Sequence, residues 1–269
     1  MVGIACTSLG LITLLALLGN LLMQGLGEID WDFLTRYTSP KAAKAGILAA
    51  WTGSLLMMCV TAATAVPLGI AAGVYLEEYG RKGRLNQIIE INISNLAGVP
   101  SIIYALMAVG VLIHMLGLKP TVMTGGLTLA MLVLPIVIVA TREALRTIPT
   151  HIREAAYALG ATKWQVIRHH LLPYSLGGIS TGVIIALSRA IGETAPLVTI
   201  GSVLFITYLP TLDSSFTVLP IQMFNWTQEP TEDFQRLAAA TGIVLIAITL
   251  GMNAVAIVVR YRARRRIKW

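Results

Sequence analysis

One arginine and one glutamate, Arg189 and Glu193, lie four residues apart inside a long apolar stretch of this 269-residue chain. An arginine at the centre of a membrane helix costs at least about 2.5 kcal/mol, so a compensating partner or a functional role is expected. Residues four apart share one face of a helix, and we therefore predict that the two side chains pair. A guanidinium presents a planar fork of N–H donors that matches phosphate or carboxylate, which makes Arg189 a candidate anion-binding residue.

The residues alone leave two roles open for this pair. In one, the two charges only satisfy each other and lock two helices together. In the other, Arg189 binds an anion in transit, while Glu193 holds the arginine in place and keeps its affinity modest so that the anion can leave. Small residues follow the same predicted helix face, where they either admit a neighbouring helix or leave room for a solute. They are Gly178, Gly182, Gly192 and Pro196.

The composition places the whole chain in a membrane. Hydrophobic residues make up 56% of it and charged residues only 12%, with a mean hydropathy of +0.76, whereas a soluble domain has roughly 25% charged residues. A soluble core of this size has no room for so much apolar surface, so lipid must be the solvent. We predict an all-α membrane protein with six transmembrane helices. They lie at about 4–23, 50–76, 98–116, 121–140, 175–204 and 237–259.

The distribution of Lys and Arg predicts the orientation of these spans. Fourteen of the 20 basic residues fall in segments 77–96 and 141–173 and in the tail after residue 259, and five fall on the other side. Cytoplasmic loops carry the excess of Lys and Arg, so both termini are expected in the cytoplasm. The basic tail is expected to lie near anionic lipid and not to bind nucleic acid. The first apolar run lacks a basic n-region and a cleavage site, so we expect it to be retained as a span.

The polar segment 141–173 leads directly into the charged span. Apolar residues recur at helical spacing after Pro149, so a first amphipathic helix is predicted there, ended by Gly160. A second short helix is predicted at about 163–170, and Pro173 is expected to break it before the span. Such a pair of helices either lies on the membrane surface or docks in a groove of a partner protein.

The sequence of this loop resembles the EAA loop of bacterial ABC-importer permeases. The matching residues are Glu154, Ala155, Ala156, Gly160, Leu172 and Pro173. In that family the loop forms coupling helices that fit a cleft on a separate ATPase subunit. The resemblance therefore implies that these residues couple the chain to an ATPase, with the alanines allowing close contact and the glycine allowing a turn. An earlier loop, at 77–79, is expected to add a smaller contact.

Three further stretches resemble the permeases of bacterial phosphate importers. They are NLAGVPSIIYAL at 95–106, RAIGETAPL at 189–197 and LPIQMFNW at 219–226, and the last is more similar to the PstA-type than to the PstC-type subunits. The resemblance runs from about residue 47 to the end of the chain. It implies a MetI-like permease core, inorganic phosphate as the substrate, and a substrate path that includes Arg189, Gly192, Glu193 and Thr194. The first 40 residues resemble the family only loosely and lack its usual basic start, so a longer N-terminus is expected.

The resemblance also implies the partners and the location of the chain. It would form a heterodimer with a PstC-like second permease in the bacterial inner membrane, recruit two copies of a PstB-like ATPase, and receive phosphate from a PstS-like periplasmic binding protein. The chain has no Gly-x-x-x-x-Gly-Lys-Ser/Thr and no His-Glu-x-x-His motif, so we expect neither catalytic residues nor a metal site in it. ATP and Mg would be used by the ATPase, and this chain is expected to need no cofactor of its own.

This scheme divides the chain into four segments. Residues 1–46 would hold the first span and a periplasmic segment. Residues 47–207 would form the core permease domain, with spans two to five and the cytoplasmic coupling loop. A periplasmic loop at 208–236 and the last span with its basic cytoplasmic tail at 237–269 would complete the chain.

Three alternatives to a phosphate importer stay open. The chain could be a permease of the same fold for another oxyanion, such as molybdate or sulfate. It could be an ATP-independent anion channel or carrier that uses Arg189 and Glu193, although the EAA-like loop would then be unexplained. A membrane-embedded enzyme would need a nucleophile or a metal set within the spans, and the sequence offers none.

Overall fold

The computed structural model describes residues 1–80 and 83–265, and within this part of the chain every regular element is a helix. Among the described residues, five helical segments are long and apolar enough to cross a membrane. A sixth span is obtained only if two helices joined at a sharp bend are counted together. The five long segments are Gly3–Glu28, Leu48–Tyr79, Val122–Arg146, Lys163–Ile191 and Glu232–Arg262.

The helices are numbered in chain order, and three of them continue into π-helical turns. They are α1 (Val2–Gly25), α2 (Trp31–Thr35), α3 (Leu48–Val74), α4 (Arg84–Leu96), α5 (Ser101–Ala108), α6 (Val122–Arg146), α7 (Thr150–Ala158), α8 (Lys163–Val166), α9 (Leu172–Ile191), α10 (Ala195–Ile200), α11 (Leu219–Thr227) and α12 (Glu232–Arg265). The π segments are Tyr75–Tyr79 after α3, Val109–Met115 after α5, and Ile167–Leu171 between α8 and α9. Short 3₁₀ turns cover Leu26–Glu28 and Ala42–Lys44.

The third predicted span, about 98–116, is shorter than the sequence suggested. Helix α5 and its π segment have 8 and 7 residues, together about 22 Å of helix, whereas a hydrocarbon core is about 30 Å thick. The preceding segment, expected to be a polar loop, contains the 13-residue helix α4, which meets α5 at 103°. Pro100 lies at this bend, where the residue before a proline avoids the helical conformation.

The first of two compact units is built around aromatic side chains. It consists of Met1–Leu56, Pro120–Val122 and Gly201–Thr249. The rings of Phe33 and Trp226 lie 6.3 Å apart, between centroids, within its apolar core. The Asp30 side chain caps α2 by accepting a hydrogen bond from the N–H of Phe33 at 2.6 Å, which fixes the direction in which this ring enters the core.

The second unit is centred on α6. It consists of Met57–Lys119, Met123–Ile200 and the chain from Leu250 on. About two-thirds (67%) of the apolar window of α6 is buried, against 28% for the corresponding windows of α3 and α9. Helix α9 approaches α6 through Gly178 and Gly182, which face Ala144 and Ala140 so closely that an added Cβ would overlap them. Two of the four small residues predicted to follow the face of the charged span thus admit a neighbouring helix.

We expect Gly182→Ala to destabilise the second unit, because the new Cβ would overlap the side chain of Ala140. Overpacking of this kind costs about 1–3 kcal/mol. The matched control is Gly177→Ala on the same helix, where a Cβ meets open space and alanine raises helix propensity. The midpoint of thermal unfolding, followed by tryptophan fluorescence of the purified protein, should fall for Gly182→Ala and not for Gly177→Ala. Equal midpoints for the two variants would show that the helices are not in close contact here.

Candidate functional site

The loop between α6 and α9 folds as two short helices joined at Gly160, as the sequence predicted. After α7, Gly160 adopts a φ of +81°, a left-handed conformation that favours glycine. The N–H of Ala161 donates to the carbonyl of Ala156 at 3.1 Å, and the N–H of Gly160 donates to that of Tyr157 at 2.9 Å, the pattern of a Schellman C-cap. A Cβ on Gly160 would meet open space, so the backbone conformation, not lack of room, is what requires glycine.

A capping box starts the second helix immediately after this turn. The hydroxyl of Thr162 accepts a hydrogen bond from the N–H of Gln165 at 3.4 Å, and the Gln165 side-chain oxygen accepts from the N–H of Thr162 at 2.7 Å. These two bonds satisfy donors that the first turn of a helix leaves free. The helix that begins here then runs without interruption from Lys163 to Ile191.

The predicted break at Pro173 is wrong, and a π turn is the reason. A proline inside an α-helix removes the hydrogen bond to the residue four positions back and clashes with that carbonyl. Here the N–H of Leu172 bonds five residues back, to the carbonyl of Ile167, so the widened turn accommodates the proline ring. Helix α9 therefore continues α8 directly, and the second helix of the predicted coupling loop forms one 29-residue helix with the charged segment.

The residues predicted to couple to an ATPase divide into exposed and inward-facing ones. Glu154, Ala155 and Gly160 are exposed, whereas Ala156 is buried, and Leu172 and Pro173 are half-buried at the start of α9. Apolar side chains beside them are also open to the surroundings: Leu159 is 90% and Trp164 56% exposed. The loop thus presents an apolar surface patch, here called the loop patch and defined by Tyr157, Leu159 and Trp164, of the kind that marks an interaction site.

Arg153 connects this loop to other segments of the second unit through an ion pair and hydrogen bonds. Its guanidinium lies 2.9 Å from the Glu78 carboxylate, and it also donates to the carbonyls of Ile148 at 2.9 Å and Leu145 at 3.1 Å. Glu78 belongs to the 77–79 loop that was expected to add a smaller contact to the ATPase. Its side chain is only 9% exposed and pairs with Arg153.

The charged pair lies at the end of α9 and not in the middle of a span that continues to residue 204. Helix α9 ends at Ile191, residues 192–194 form a break, and α10 begins at Ala195. Pro196 has no N–H to bond the carbonyl of Gly192, and this missing hydrogen bond favours an interruption of the helix here. Across the break, the Nε of Arg189 donates to Glu193 Oε1 at 3.3 Å, which confirms the predicted pairing.

The pair leaves most of the guanidinium free. Arg189 uses one N–H on Glu193, and its two terminal NH₂ groups have no partner within the described residues. The arginine side chain is 41% exposed, while that of Glu193 is 16% exposed. Tyr104 on α5 is buried within electrostatic reach of Arg189, and its hydroxyl donates to the Leu96 carbonyl at 2.8 Å. The arrangement offers an anion two parallel N–H donors.

Polar side chains also join α9 to α12 next to this pair. The Ser188 hydroxyl donates to Asn253 Oδ1 at 2.7 Å, and Arg260 donates to the Thr181 hydroxyl at 2.7 Å. The two contacts lie seven residues apart on both helices, which therefore run antiparallel along each other. Because lipid cannot satisfy polar groups, such bonds define which helix faces meet. These contacts were not predicted from the sequence, although Asn253 is a polar residue in an otherwise apolar span.

Comparison with known proteins identifies the family. Residues 65–269 match the family described as "Binding-protein-dependent transport system inner membrane component". The phosphate transport system permease protein PstA 1 of Mycobacterium tuberculosis is 34% identical over 237 residues, which cover 88% of this chain and 77% of that protein. The phosphate transport system permease protein PstA of Mycobacterium leprae is 35% identical over 266 residues, which cover 96% of this chain and 86% of that protein.

Solved structures share the fold at low sequence identity. One of them is a bacterial alginate ABC transporter in complex with an alginate pentasaccharide-bound periplasmic protein. The match covers 97% of this chain and 93% of the transporter chain, with a TM-score of 0.74 and 18% identity. The inward-facing MetNI methionine ABC transporter gives a TM-score of 0.62 at 18% identity, over 78% of this chain and 93% of its own. The fold is therefore that of an ABC-transporter permease. By its sequence, the chain belongs to the binding-protein-dependent inner membrane components, and among them to the PstA-type permeases.

We expect Gly160→Ala to destabilise the coupling loop by about 1–2 kcal/mol, because alanine in the left-handed region brings its Cβ close to the following carbonyl. Gly160→Asn should cost less, since asparagine tolerates this conformation. Limited proteolysis of the purified protein should show faster cleavage between α7 and α8 for the alanine variant than for the asparagine variant. Cleavage of both at the wild-type rate would mean that the turn does not need a positive φ.

Proposed function

We propose that this chain is the permease subunit of an ATP-driven importer of inorganic phosphate. One observation carries the proposal: a single helix, Lys163–Ile191, joins the coupling loop to Arg189, whose two free NH₂ groups match the geometry of a phosphate. The relatives from Mycobacterium tuberculosis and Mycobacterium leprae are phosphate transport permeases, which supports phosphate as the anion.

Arg189 is the residue that would meet phosphate on its way through the membrane. Glu193 would hold the guanidinium when no anion is present and would keep the affinity low enough for release. Gly192 lacks a side chain and is exposed, so it leaves the approach to the pair open. Thr194 supplies a hydroxyl at the start of α10. Together these four residues form the proposed substrate path of this chain.

The remaining subunits of the importer would supply energy and delivery. A PstC-like permease would complete the pathway as a heterodimer, and a PstS-like periplasmic protein would deliver phosphate at the bacterial inner membrane. Two PstB-like ATPases would bind ATP and Mg, so this chain would need no cofactor. The loop patch, with Leu159 and Trp164 open to the surroundings, is the surface that we assign to the ATPase.

The continuous helix suggests how ATP use would reach the anion. A helix of 29 residues is about 43 Å long, so a movement imposed at Lys163 is carried to Arg189 by one rigid element. ATP binding would close the two ATPases and pull the coupling loop. The tilt of this helix would then open the path toward the outside. ATP hydrolysis would return the helix to its first position, and phosphate would be released inward.

Arg189→Gln is expected to lower phosphate uptake by at least about tenfold, because glutamine has neither the charge nor the fork of donors. The matched control is Arg236→Gln, which removes an exposed arginine from a similar i,i+4 pair with Glu232 and should transport normally. Uptake of radiolabelled phosphate and recovery of the assembled complex would be measured together.

Normal uptake by Arg189→Gln would refute the anion site. Competition distinguishes the substrate class in the same assay. Excess unlabelled phosphate should suppress uptake, and excess sulfate or molybdate should not. Suppression by either of those oxyanions would favour a permease of the same fold with a different substrate.

Leu159→Glu should weaken attachment of the ATPase, because a charge would replace the most exposed apolar residue of the loop patch and would be desolvated on docking. Co-purification of the ATPase with the tagged permease would be measured. Thr147→Glu places the same charge on an exposed position just before α7 and should leave the yield unchanged. An undiminished ATPase yield with Leu159→Glu would show that the loop patch is not the docking surface.

A further inference from the structure

Four charged side chains from three helical segments form a ring of ion pairs, called here the ion box. They are Glu77 in the π segment after α3, Glu90 on α4, and Arg142 and Arg146 on α6. Arg142 Nη2 lies 2.9 Å from Glu90 Oε2, and Arg142 Nε lies 3.4 Å from Glu77 Oε2. Arg146 lies 2.9 Å from Glu90 and 3.0 Å from Glu77. Each arginine thus faces both carboxylates.

Arg142 depends on Glu90 more than on any other group in the box. Its side chain is only 5% exposed, and a buried charge needs a close partner. The Nε of Arg142 makes no hydrogen bond within the described residues, whereas the Nε of Arg146 donates to Glu77 at 3.0 Å. The hydrogen bond from Arg142 also lowers the pKa of the Glu90 carboxyl below its ordinary value, against the opposing effect of burial, so Glu90 is charged at neutral pH.

The ion box continues into the coupling loop through consecutive residues of one π segment. Glu77 belongs to the box, and its neighbour Glu78 pairs with Arg153 of α7 at 2.9 Å. The next residue, Tyr79, has its ring centroid 4.7 Å from Lys163 Nζ at the start of α8. The end of α3 therefore contacts α6 and both helices of the loop, and any displacement of the loop acts on the box.

At its other end, α4 leads to the anion site. It turns by 103° into α5, and the hydroxyl of Tyr104 on α5 bonds to the Leu96 carbonyl at the end of α4. Helix α5 packs against α10, which begins directly after the break that holds Glu193. Tyr104 also lies within electrostatic reach of Arg189. A shift of α4 is therefore passed to residues around the charged pair.

An apolar groove borders the end of α4. Ser94 and Ala97, near the end of α4, line one wall of this groove, which has a volume of about 300 Å³ and whose other walls come from α6 and α9. The apolar side chains of Leu85, Ile88 and Ile91 on α4 are each more than half exposed. The ion box thus holds one half of α4, while the other half borders open space.

We propose that α4 is a second connection between the coupling loop and the anion site, and that Glu90 is the positioning residue that engages it. The inference rests on the proposed transport function. Movement of the loop displaces Glu78 through its ion pair with Arg153, and this displacement acts on the ion box. The ion pairs of the box then move α4, and α5 follows. Without Glu90 the loop still moves α9, but α5 no longer follows, and ATP is hydrolysed without transport.

The test compares Glu90→Gln with Glu143→Gln in the purified complete transporter, reconstituted in proteoliposomes with its binding protein. Glu143 also pairs with Arg146, at 3.2 Å, but its side chain is 63% exposed, and the carboxylates paired with Arg142 among the described residues are those of Glu77 and Glu90. Phosphate uptake and ATP hydrolysis would be measured in the same vesicles. We expect Glu90→Gln to lower phosphate transported per ATP by about tenfold with ATP hydrolysis retained, and Glu143→Gln to leave this ratio unchanged.

A wild-type ratio in Glu90→Gln would overturn the proposal, and so would a proportional loss of uptake and hydrolysis, which indicates a merely structural role. If Glu90→Gln does not assemble, Glu90→Asp keeps the charge but shortens its reach. A lowered ratio in that assembled variant supports the second connection, and an unchanged ratio rejects it. Arg189→Gln separates this result from the proposed function, because normal uptake in that variant refutes the anion site whatever Glu90 does.

Discussion

The close contact of α6 with its neighbours is the constraint on which the rest of the second unit depends. Lipid is as apolar as a leucine side chain, so helices in a membrane gain little from apolar burial and are held by close packing and by polar bonds. Gly178 and Gly182 let α9 approach α6. Helix α6 carries Arg142 and Arg146 near its end, and the carbonyl of its Leu145 accepts a hydrogen bond from Arg153. The position of α6 therefore fixes both the coupling loop and the helix that carries Arg189.

Features set by residues close together in the chain were predicted from the sequence. The i,i+4 spacing predicted the contact between Arg189 and Glu193, and the structure has it at 3.3 Å. The motif around Gly160 predicted a turn between two short helices, because only the local backbone decides whether a positive φ is needed. The membrane class followed from composition, and the long spans followed from runs of apolar residues.

The sequence did not predict features in which one local irregularity offsets another, or features in which the interacting residues lie far apart in the chain. A proline such as Pro173 would clash with the carbonyl four residues back in a regular α-helix. The π turn that precedes Pro173 widens the helix and removes this clash. Helix α4 looked like a loop because its apolar residues are interspersed with polar ones and its partners lie elsewhere in the sequence. The pairing of Glu90 with Arg142 joins residues 52 positions apart. The i,i+4 spacing of Arg142 and Arg146 was a signal that this face of α6 needed carboxylates, but it could not say which ones.

The ion pair between Arg189 and Glu193 has a kinetic consequence on the proposed pathway. An arriving anion competes for the guanidinium with a carboxylate on the same chain, whose effective concentration is set by geometry and not by supply in the cell. This internal competitor weakens binding by the same factor at every external phosphate concentration. It also speeds departure, because the carboxylate takes back its bond as the anion leaves. On the proposed pathway the membrane site would therefore favour rapid turnover, and capture of scarce phosphate would fall to a separate protein that delivers it.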